Sequence, residues 1–146
     1  MMDQMEIAFG AAAENEAFAR MVISAFLVRR DPVLSMVSEI RTAVSEAVTN
    51  AVVHAYRGMK AGRIVMRASL CDDKIEIEVE DFGCGIEDVE RAMKPFYTSS
   101  PEEERTGMGF SLMLSFMDKV HVESSTGNGT TVRMEKILRS GDLNVH

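Results

Sequence analysis

The chain has 146 residues, of which 46% are hydrophobic and 27% are charged. This length fits one domain with a buried core, and the composition is that of a folded globular protein rather than a disordered one. The 16 basic and 23 acidic residues give a net charge of −7, which repels phosphate backbones and anionic lipids. We therefore expect a single domain over residues 1–146 that neither binds nucleic acid directly nor attaches to a membrane.

The N-terminus and the cysteines point to the cytoplasm. Acidic residues follow the first methionines, where a secretory signal needs basic ones, and the longest apolar stretch, residues 21–28, is too short to span a membrane. Cys71 and Cys84 are too few for a disulfide framework or a four-ligand zinc site. We expect both thiols to be reduced and buried.

The first half of the chain predicts one strand and two helices. Apolar residues alternate over residues 5–9, which predicts a strand. Asn15 is a typical N-cap for a helix that ends near residue 30, because the dipeptide Asp31-Pro32 breaks helices. Apolar residues at helical spacing predict a second, longer helix over residues 34–56.

The second half of the chain predicts mostly strands. Period-two alternation predicts strands over residues 64–70, 75–79, 120–124 and 130–136, and helical segments are expected at 87–93 and 109–117. Glu76, Glu78 and Glu80 share one strand face, which must therefore be in contact with water. These elements predict an α/β two-layer sandwich, with a mixed, mostly antiparallel sheet and helices on one face.

Three polar residues follow one another along the second predicted helix. Glu46, Asn50 and His54 are four residues apart, so they lie on one side of the helix. Such a stripe beside an apolar one is usually a solvated edge. However, a carboxylate one turn from an amide can also hold a hydrated magnesium ion and orient a nucleophile. The spacing leaves both interpretations open.

Asp81 has an unusual position for a carboxylate. Counting by twos from Ile75 places it on the core side of its strand, where an ionised carboxylate needs a hydrogen-bond donor. That donor is either internal, such as a backbone amide or an arginine, or the exocyclic amine of a bound base such as adenine. Gly83 and Gly85 follow immediately, and glycines let the backbone approach a flat ring closely.

The segment Thr106-Gly107-Met108-Gly109 opens the helix predicted at 109–117. Backbone N–H groups and the helix dipole favour anions at such an N-terminus, and Arg105 adds a cation for phosphate. Because many helices begin after glycine, this segment alone is a weak signal. The P-loop and GxGxxG fingerprints do not fit the sequence.

Taken in order, the motifs are specific. They resemble the ATP-binding domain shared by gyrase, Hsp90, histidine kinases and MutL, which is known as the Bergerat fold. The motifs that carry this resemblance are Glu46-x-x-x-Asn50, Asp81-x-Gly83-x-Gly85, residues 106–109 and Gly129-Thr130-Thr131. The resemblance implies that Asn50 coordinates Mg²⁺, that Asp81 receives the adenine amine with help from Thr130, that Gly83 and Gly85 shape the base pocket, and that residues 105–109 cover the phosphates.

The candidate nucleotide-binding residues are Asn50, His54, Asp81, Gly83, Gly85, Thr98, Ser99, Arg105, Thr106, Gly107, Met108, Gly109 and Thr130. Thr98 and Ser99 belong to a stretch that is either a lid over the phosphates or a plain surface loop. Glu46 and Arg105 are the catalytic candidates, and Asn50 is the metal candidate.

Within this superfamily the chain resembles the anti-sigma-factor serine kinases, and among them the sporulation anti-sigma F factors. Residues 15–20, 46–56 and 104–110 carry the resemblance, which extends over essentially the whole chain. Histidine kinases need a phosphoacceptor histidine on a separate helical hairpin, and no such hairpin precedes the nucleotide-binding motifs. Gyrase, Hsp90 and MutL need a large domain after these motifs, and little of this sequence follows Lys136.

This resemblance implies a cytoplasmic homodimer that binds and inhibits a sporulation sigma factor. It also implies phosphorylation of the anti-anti-sigma antagonist on serine, with Mg-ATP as the donor and ADP as the product. Glu46 would orient the serine hydroxyl and accept its proton, and Arg105 would stabilise charge near the γ-phosphate. Two alternatives stay open: a non-catalytic module in which ATP or ADP gates sigma binding, and the equivalent kinase of a general-stress sigma system.

Overall fold

The computed structural model describes residues 2–56, 62–93 and 109–139. Its strands are β1 (Met2–Gly10), β2 (Arg63–Cys71), β3 (Lys74–Asp81), β4 (Lys119–Ser124) and β5 (Thr130–Ile137). Its helices are α1 (Glu14–Leu27), α2 (Leu34–Asn50), α3 (Val89–Ala92) and α4 (Gly109–Phe116), with a 3₁₀ turn at Val28–Arg30 and a π-helical turn at Ala51–Ala55. Together they form the predicted two-layer sandwich.

The five strands form one sheet in the order β1-β2-β3-β5-β4. Every pairing between the described strands is antiparallel, so the expectation of a mixed sheet was wrong in that detail. The reason lies in the connections. Of the four pairings between described strands, β2–β3 and β4–β5 are joined by short turns, and a turn of that length can only reverse the chain, whereas parallel neighbours need a long crossover.

One face of the sheet carries the core. The inward residues of β3 (Ile75, Ile77 and Val79) are at most 2% exposed. They pack with apolar residues of α1 and α2, which include Ile23, Leu27, Ile40, Val44 and Val48. The period-two pattern of the strands and the period-3.6 pattern of the helices therefore meet in a single apolar layer.

The opposite face of the sheet is charged, as the three glutamates of β3 predict. Arg67 of β2 contacts Glu6 of β1 at 2.9 Å and Glu80 of β3 at 2.8 Å. Arg133 of β5 contacts Glu78 at 3.1 Å. These ion pairs link neighbouring strands on the side without helices, which confirms that this face is in contact with water.

Several local predictions were wrong. Asn15 is not the N-cap of α1, because the helix already begins at Glu14; the Asn15 side chain instead donates to the Gly10 carbonyl at 2.8 Å. By contrast, the predicted helix break is confirmed: α1 ends at Leu27, the 3₁₀ turn ends at Arg30, and Asp31 follows with a left-handed φ of 45°. Cys71 and Cys84 are exposed rather than buried, since one closes a strand at a hairpin turn and the other lies in a loop.

Within the described segments, no helix combines the length and the apolar character needed to cross a membrane.

Candidate nucleotide-binding site

The first part of the site is the last turn of α2. Glu46 and Asn50 lie one helical turn apart and are partly buried. The Nδ2 atom of Asn50 is buried and has no hydrogen-bond partner. Because a buried, unpaired amide is energetically unfavourable, native proteins rarely leave one without a reason. The end of α2 therefore has one buried N–H donor group that is free to bond an acceptor.

The environment of Glu46 changes its acidity. Burial raises the pKa of Glu46 above its ordinary value, and the negative charge of Glu16 raises this pKa further. Glu16 is itself held in place, since it accepts a hydrogen bond from the Ser45 hydroxyl and pairs with Arg20 at 3.0 Å. A glutamate with a raised pKa binds a proton more strongly than an exposed one, which improves a general base.

A π-helical turn follows Asn50 and includes His54. This wider turn changes the regular α-helical spacing after Asn50, and the position of His54 on one stripe with Glu46 and Asn50 stays a prediction. The turn uses its carbonyl groups to hold the loop after β3. The Ala55 carbonyl accepts the Cys84 N–H at 2.9 Å, and the His54 carbonyl accepts the Cys84 thiol at 3.4 Å.

Asp81 is the last residue of β3 and points inward, as the alternation predicts. It is 7% exposed. Its Oδ1 atom accepts the backbone N–H of Gly83 at 3.0 Å and of Thr130 at 3.2 Å, so the internal donors are backbone amides. Both bonds end on Oδ1, and no hydrogen bond from the described residues ends on Oδ2. Burial raises the pKa of Asp81, and the two N–H groups oppose this shift.

The two glycines after Asp81 lie where the backbone has no room for side chains. A Cβ on Gly83 would lie 2.1 Å from the Ala55 carbonyl oxygen. A Cβ on Gly85, whose φ is +77°, would lie 2.0 Å from the Ser125 carbonyl oxygen. The glycines therefore let this loop pack between the π-helical turn and the β4–β5 turn. This requirement for glycine is independent of any ligand.

Two further residues that the sequence analysis missed support this loop. The Tyr56 hydroxyl accepts the Phe82 N–H at 2.7 Å and donates to the Arg63 carbonyl. The Ser124 hydroxyl accepts the Ile86 N–H at 2.7 Å. Both residues act through tertiary contacts, for which a single sequence contains no signal.

Some of the remaining predicted site residues lie in the described part of the chain, and others lie outside it. Thr130 is buried beside Asp81. Gly109 is the first residue of α4, as predicted for the end of the glycine segment. The other predicted phosphate-side residues, Thr98, Ser99, Arg105, Thr106, Gly107 and Met108, lie outside the described residues.

Comparisons with known proteins agree with this fold. The sequence profile of the histidine kinase-like ATPase domain family matches residues 9–136. The chain is 52% identical to the anti-sigma F factor of Caldanaerobacter subterraneus subsp. tengcongensis, over 93% of this chain and 94% of that protein. The chain belongs to the anti-sigma F factor family. Another member, from Clostridium perfringens, is 48% identical over 96% of this chain and 100% of its own length.

Solved structures show the same fold in more distant proteins. The structure of the RsbU and RsbW domains of Rv1364c from Mycobacterium tuberculosis aligns with a TM-score of 0.68 at 22% identity, over 93% of this chain and 32% of that chain. Full-length ShkA in complex with AMPPNP aligns with a TM-score of 0.58 at 17% identity, over 88% of this chain and 30% of that chain. These structures show the fold, and the family profile over residues 9–136 places this anti-sigma factor among the histidine kinase-like ATPase domains, which implies nucleotide binding.

Proposed function

We propose that this anti-sigma factor binds and inhibits a sporulation sigma factor and phosphorylates the anti-anti-sigma antagonist on serine, with Mg-ATP as the phosphoryl donor. The names of its relatives support sigma-factor binding. The observation that carries the kinase activity is the pair at the end of α2. Glu46, whose pKa is raised, lies one turn from Asn50, whose side-chain amide oxygen is a ligand type that magnesium binds.

In this proposal the adenine lies against Asp81. The Oδ2 atom of Asp81 accepts a hydrogen from the exocyclic amine, while Oδ1 stays bound to the backbone of Gly83 and Thr130. The loop with Gly83 and Gly85 forms the wall of the base pocket, because its backbone is held on both sides by tertiary contacts. A preorganised pocket of this kind loses little entropy when the base binds.

Asn50 fits a role as the protein ligand of a magnesium ion. Magnesium in phosphoryl-transfer sites usually takes one or two protein ligands and completes its shell with phosphate oxygens and water. Among the described residues no cluster of three or more acidic, histidine or cysteine side chains forms a metal cage. The metal would supply positive charge next to the transferred phosphoryl group.

Glu46 is the general base of the proposal. Its carboxylate orients the serine hydroxyl and takes its proton as the new O–P bond forms and the bond to ADP breaks. The raised pKa of Glu46 makes it a stronger base than an exposed glutamate. Arg105 and the glycine segment at 106–109 are proposed to neutralise and cover the phosphates, together with Thr98 and Ser99.

The proposal also includes a cytoplasmic homodimer in which one domain, residues 1–146, carries both activities. Strand β1 is nine residues long and lies at the edge of the sheet, paired with β2 on one side. A long edge strand presents unpaired backbone groups that a second chain can cover. The proposed cytoplasmic location follows from the proposed partner, because a sigma factor acts in the compartment in which transcription takes place.

The test is a phosphotransfer assay with γ-labelled ATP, magnesium and the anti-anti-sigma protein. Wild type is expected to label a serine. Glu46→Gln should bind ATP within about twofold of wild type but transfer phosphate at least about 100-fold more slowly, because a general base contributes that much. Glu39→Gln, the same change on the same helix, should behave as wild type.

The outcomes separate the hypotheses. Unchanged transfer by Glu46→Gln would remove Glu46 from the mechanism. Tight ATP binding by wild type without any labelled serine would leave a nucleotide-gated sigma-binding module instead of a kinase. Labelling of an antagonist from a general-stress system in preference to the sporulation antagonist would assign the chain to that pathway.

A further inference from the structure

One row of side chains crosses four strands at the end of the sheet where Asp81 lies. The strand register pairs Ile64 with Asp81, Asp81 with Thr130 and Thr130 with Ser124. Directly paired residues of antiparallel strands have their side chains on the same face. The row therefore lies on the helix side of the sheet, with Thr130 between the carboxylate of Asp81 and the hydroxyl of Ser124.

The Ser124 hydroxyl has three polar neighbours. It lies 2.7 Å from the Ile86 nitrogen, 2.8 Å from the Gly129 carbonyl oxygen and 2.7 Å from the Thr130 Oγ1 atom. A serine hydroxyl has one hydrogen to donate and two lone pairs that accept. Three neighbours at these distances can all be satisfied only if one of them accepts and two of them donate.

The chemistry of the neighbours determines the direction of each bond. A backbone N–H can only donate, so Ile86 donates to Ser124. A carbonyl oxygen can only accept, so Ser124 gives its single hydrogen to Gly129, which is buried and needs a donor. The third bond must then come from the Thr130 hydroxyl, whose hydrogen points at Ser124. Thr130 Oγ1 is left with lone pairs alone.

We propose that Ser124 is a specificity-determining positioning residue. It leaves Asp81 and Thr130 with acceptor atoms only toward the group at C6 of the base. With the Thr130 hydrogen turned toward Ser124, the polar atoms of Thr130 and Asp81 that remain are both acceptors. An adenine amine donates to such a pair. A 6-oxo purine places an oxygen at C6 and binds more weakly, because the lone pairs of Asp81 and Thr130 then face those of that oxygen. This inference rests on the proposed adenine site at Asp81.

The experiment compares the Kd of ATP with that of inosine triphosphate, which carries a 6-oxo group in place of the amine, for the full chain with magnesium. In Ser124→Ala the Thr130 hydroxyl is released and can donate to the 6-oxo group. The ratio of the inosine triphosphate Kd to the ATP Kd should fall roughly tenfold, the value of about one hydrogen bond. Ser124→Thr keeps a hydroxyl and should restore the ratio.

The neighbouring serine provides a matched control. Ser125 is exposed, and its hydroxyl accepts a bond from the Asn128 side chain within the same turn, so Ser125→Ala should leave the ratio unchanged. The double variant Ser124→Ala with Thr130→Val should lose the relaxed specificity of Ser124→Ala, because no hydroxyl remains to donate. Where Ser124→Ala does not fold, Ser124→Cys, with its weak S–H group, should also lower the ratio.

A purely structural role for Ser124 predicts something different. If Ser124→Ala weakens both nucleotides by the same factor and the ratio stays at the wild-type value, the inference is overturned, as it is when a folded Ser124→Cys keeps the wild-type ratio. Failure of the proposed function looks different again: wild type would then show no preference for ATP over inosine triphosphate, or no binding of either.

Discussion

At the scale of single residues, Glu46 and Asp81 are affected by the same cause but have different proposed roles. Burial raises the pKa of both carboxyl groups. At Asp81 two backbone N–H bonds favour the charged form, against a smaller opposing effect of the Glu80 charge, whereas the Glu16 charge raises the pKa of Glu46 further. Environments that differ in this way assign different functions to chemically similar groups. Asp81 is suited to accept a hydrogen bond, and Glu46 is suited to accept a proton.

The role of Asp81 leads to a prediction about base selectivity. In Asp81→Asn the amide oxygen can still accept the N–H bonds of Gly83 and Thr130, so the fold should persist. The Oδ2 acceptor becomes an NH₂ group that repels the adenine amine. Binding of ATP should therefore weaken by at least about 10- to 100-fold, since an unpaired buried donor costs about 1–3 kcal/mol. Isothermal titration calorimetry with ATP and GTP measures the change.

Two controls make that experiment decisive. Glu80→Gln changes the neighbouring acid on the opposite face of β3 and should leave ATP affinity unaltered. An equal loss of affinity for ATP and GTP in Asp81→Asn would contradict the adenine assignment, since both nucleotides carry the same ribose and phosphates.

At the scale of secondary-structure elements, the site is built where three irregular pieces meet. The π-helical turn at Ala51–Ala55 holds the loop after β3 through the Cys84 N–H, and the β4–β5 turn holds the same loop through a bond from the Gly127 N–H to the Cys84 carbonyl at 2.7 Å. Loops of this kind carry function when rigid elements position them. Here the β3 loop is fixed from both sides before any ligand binds.

The β4–β5 turn contains two glycines that allow a controlled test. Gly127 and Gly129 both have left-handed φ values, 82° and 78°. A Cβ at Gly127 would meet nothing within 4 Å, whereas one at Gly129 would lie 2.3 Å from the Asp81 carbonyl oxygen. Gly127→Ala should lower the free energy of unfolding by only about 1–2 kcal/mol, the cost of the left-handed conformation.

Gly129→Ala should cost at least about 2 kcal/mol more than Gly127→Ala, because the clash adds overpacking to the same backbone strain. Chemical denaturation of the two variants gives this difference. A smaller or absent gap would mean that the turn and β3 can move apart. In that case Gly129→Ala should still bind ATP with the affinity of wild type.

At the scale of the whole molecule, the fold brings together residues that are far apart in the chain. Glu46 and Asn50 come from the second helix, Asp81 from the third strand, and Ser124 and Thr130 from the last two strands. The antiparallel order β3-β5-β4 places the last three side by side. A core packed around Ile23, Leu27 and other fully buried residues holds the helices against this sheet.

Burial of the site carboxyls makes stability depend on pH. The folded-state pKa of Glu46 lies above its ordinary value of 4.5. A raised carboxyl pKa contributes stability that is fully present below the ordinary value and is lost as pH rises through the folded-state pKa. At neutral pH the buried charge is therefore unfavourable. Glu46→Gln removes this charge and should raise the melting temperature by about 2–4 °C for each kcal/mol gained.

Differential scanning calorimetry from pH 8 down to pH 4 follows this effect. The difference in melting temperature between Glu46→Gln and wild type should be largest at neutral pH and should disappear in acid. Glu39→Gln serves as the comparison on the same helix. A gap that does not change with pH would show that packing, rather than charge, separates Glu46→Gln from wild type. Loss of activity with a gain in stability is typical of functional sites.

Much of the fold could be predicted from the sequence because periodicity is a local signal. The alternation in β3 correctly placed Asp81 on the buried face and the three glutamates on the wet face. Local signals failed where tertiary contacts compete. Asn15 has the chemistry of an N-cap, yet it bonds to Gly10 across the turn from β1. The helix predicted to continue to residue 56 widens to a π-helical turn, whose carbonyls bind the β3 loop.

The sequence by itself determined the two-layer architecture, the acidic outer face, the family resemblance and the order of the site motifs along the chain, since each depends on residue type and spacing. Only the tertiary structure decided that the sheet is antiparallel throughout its described strands, that the glycines after Asp81 pack against Ala55 and Ser125, and that Ser124 lies beside Thr130. Strand register and hydrogen-bond direction depend on contacts between residues that are distant in the chain, and no local sequence pattern encodes such contacts.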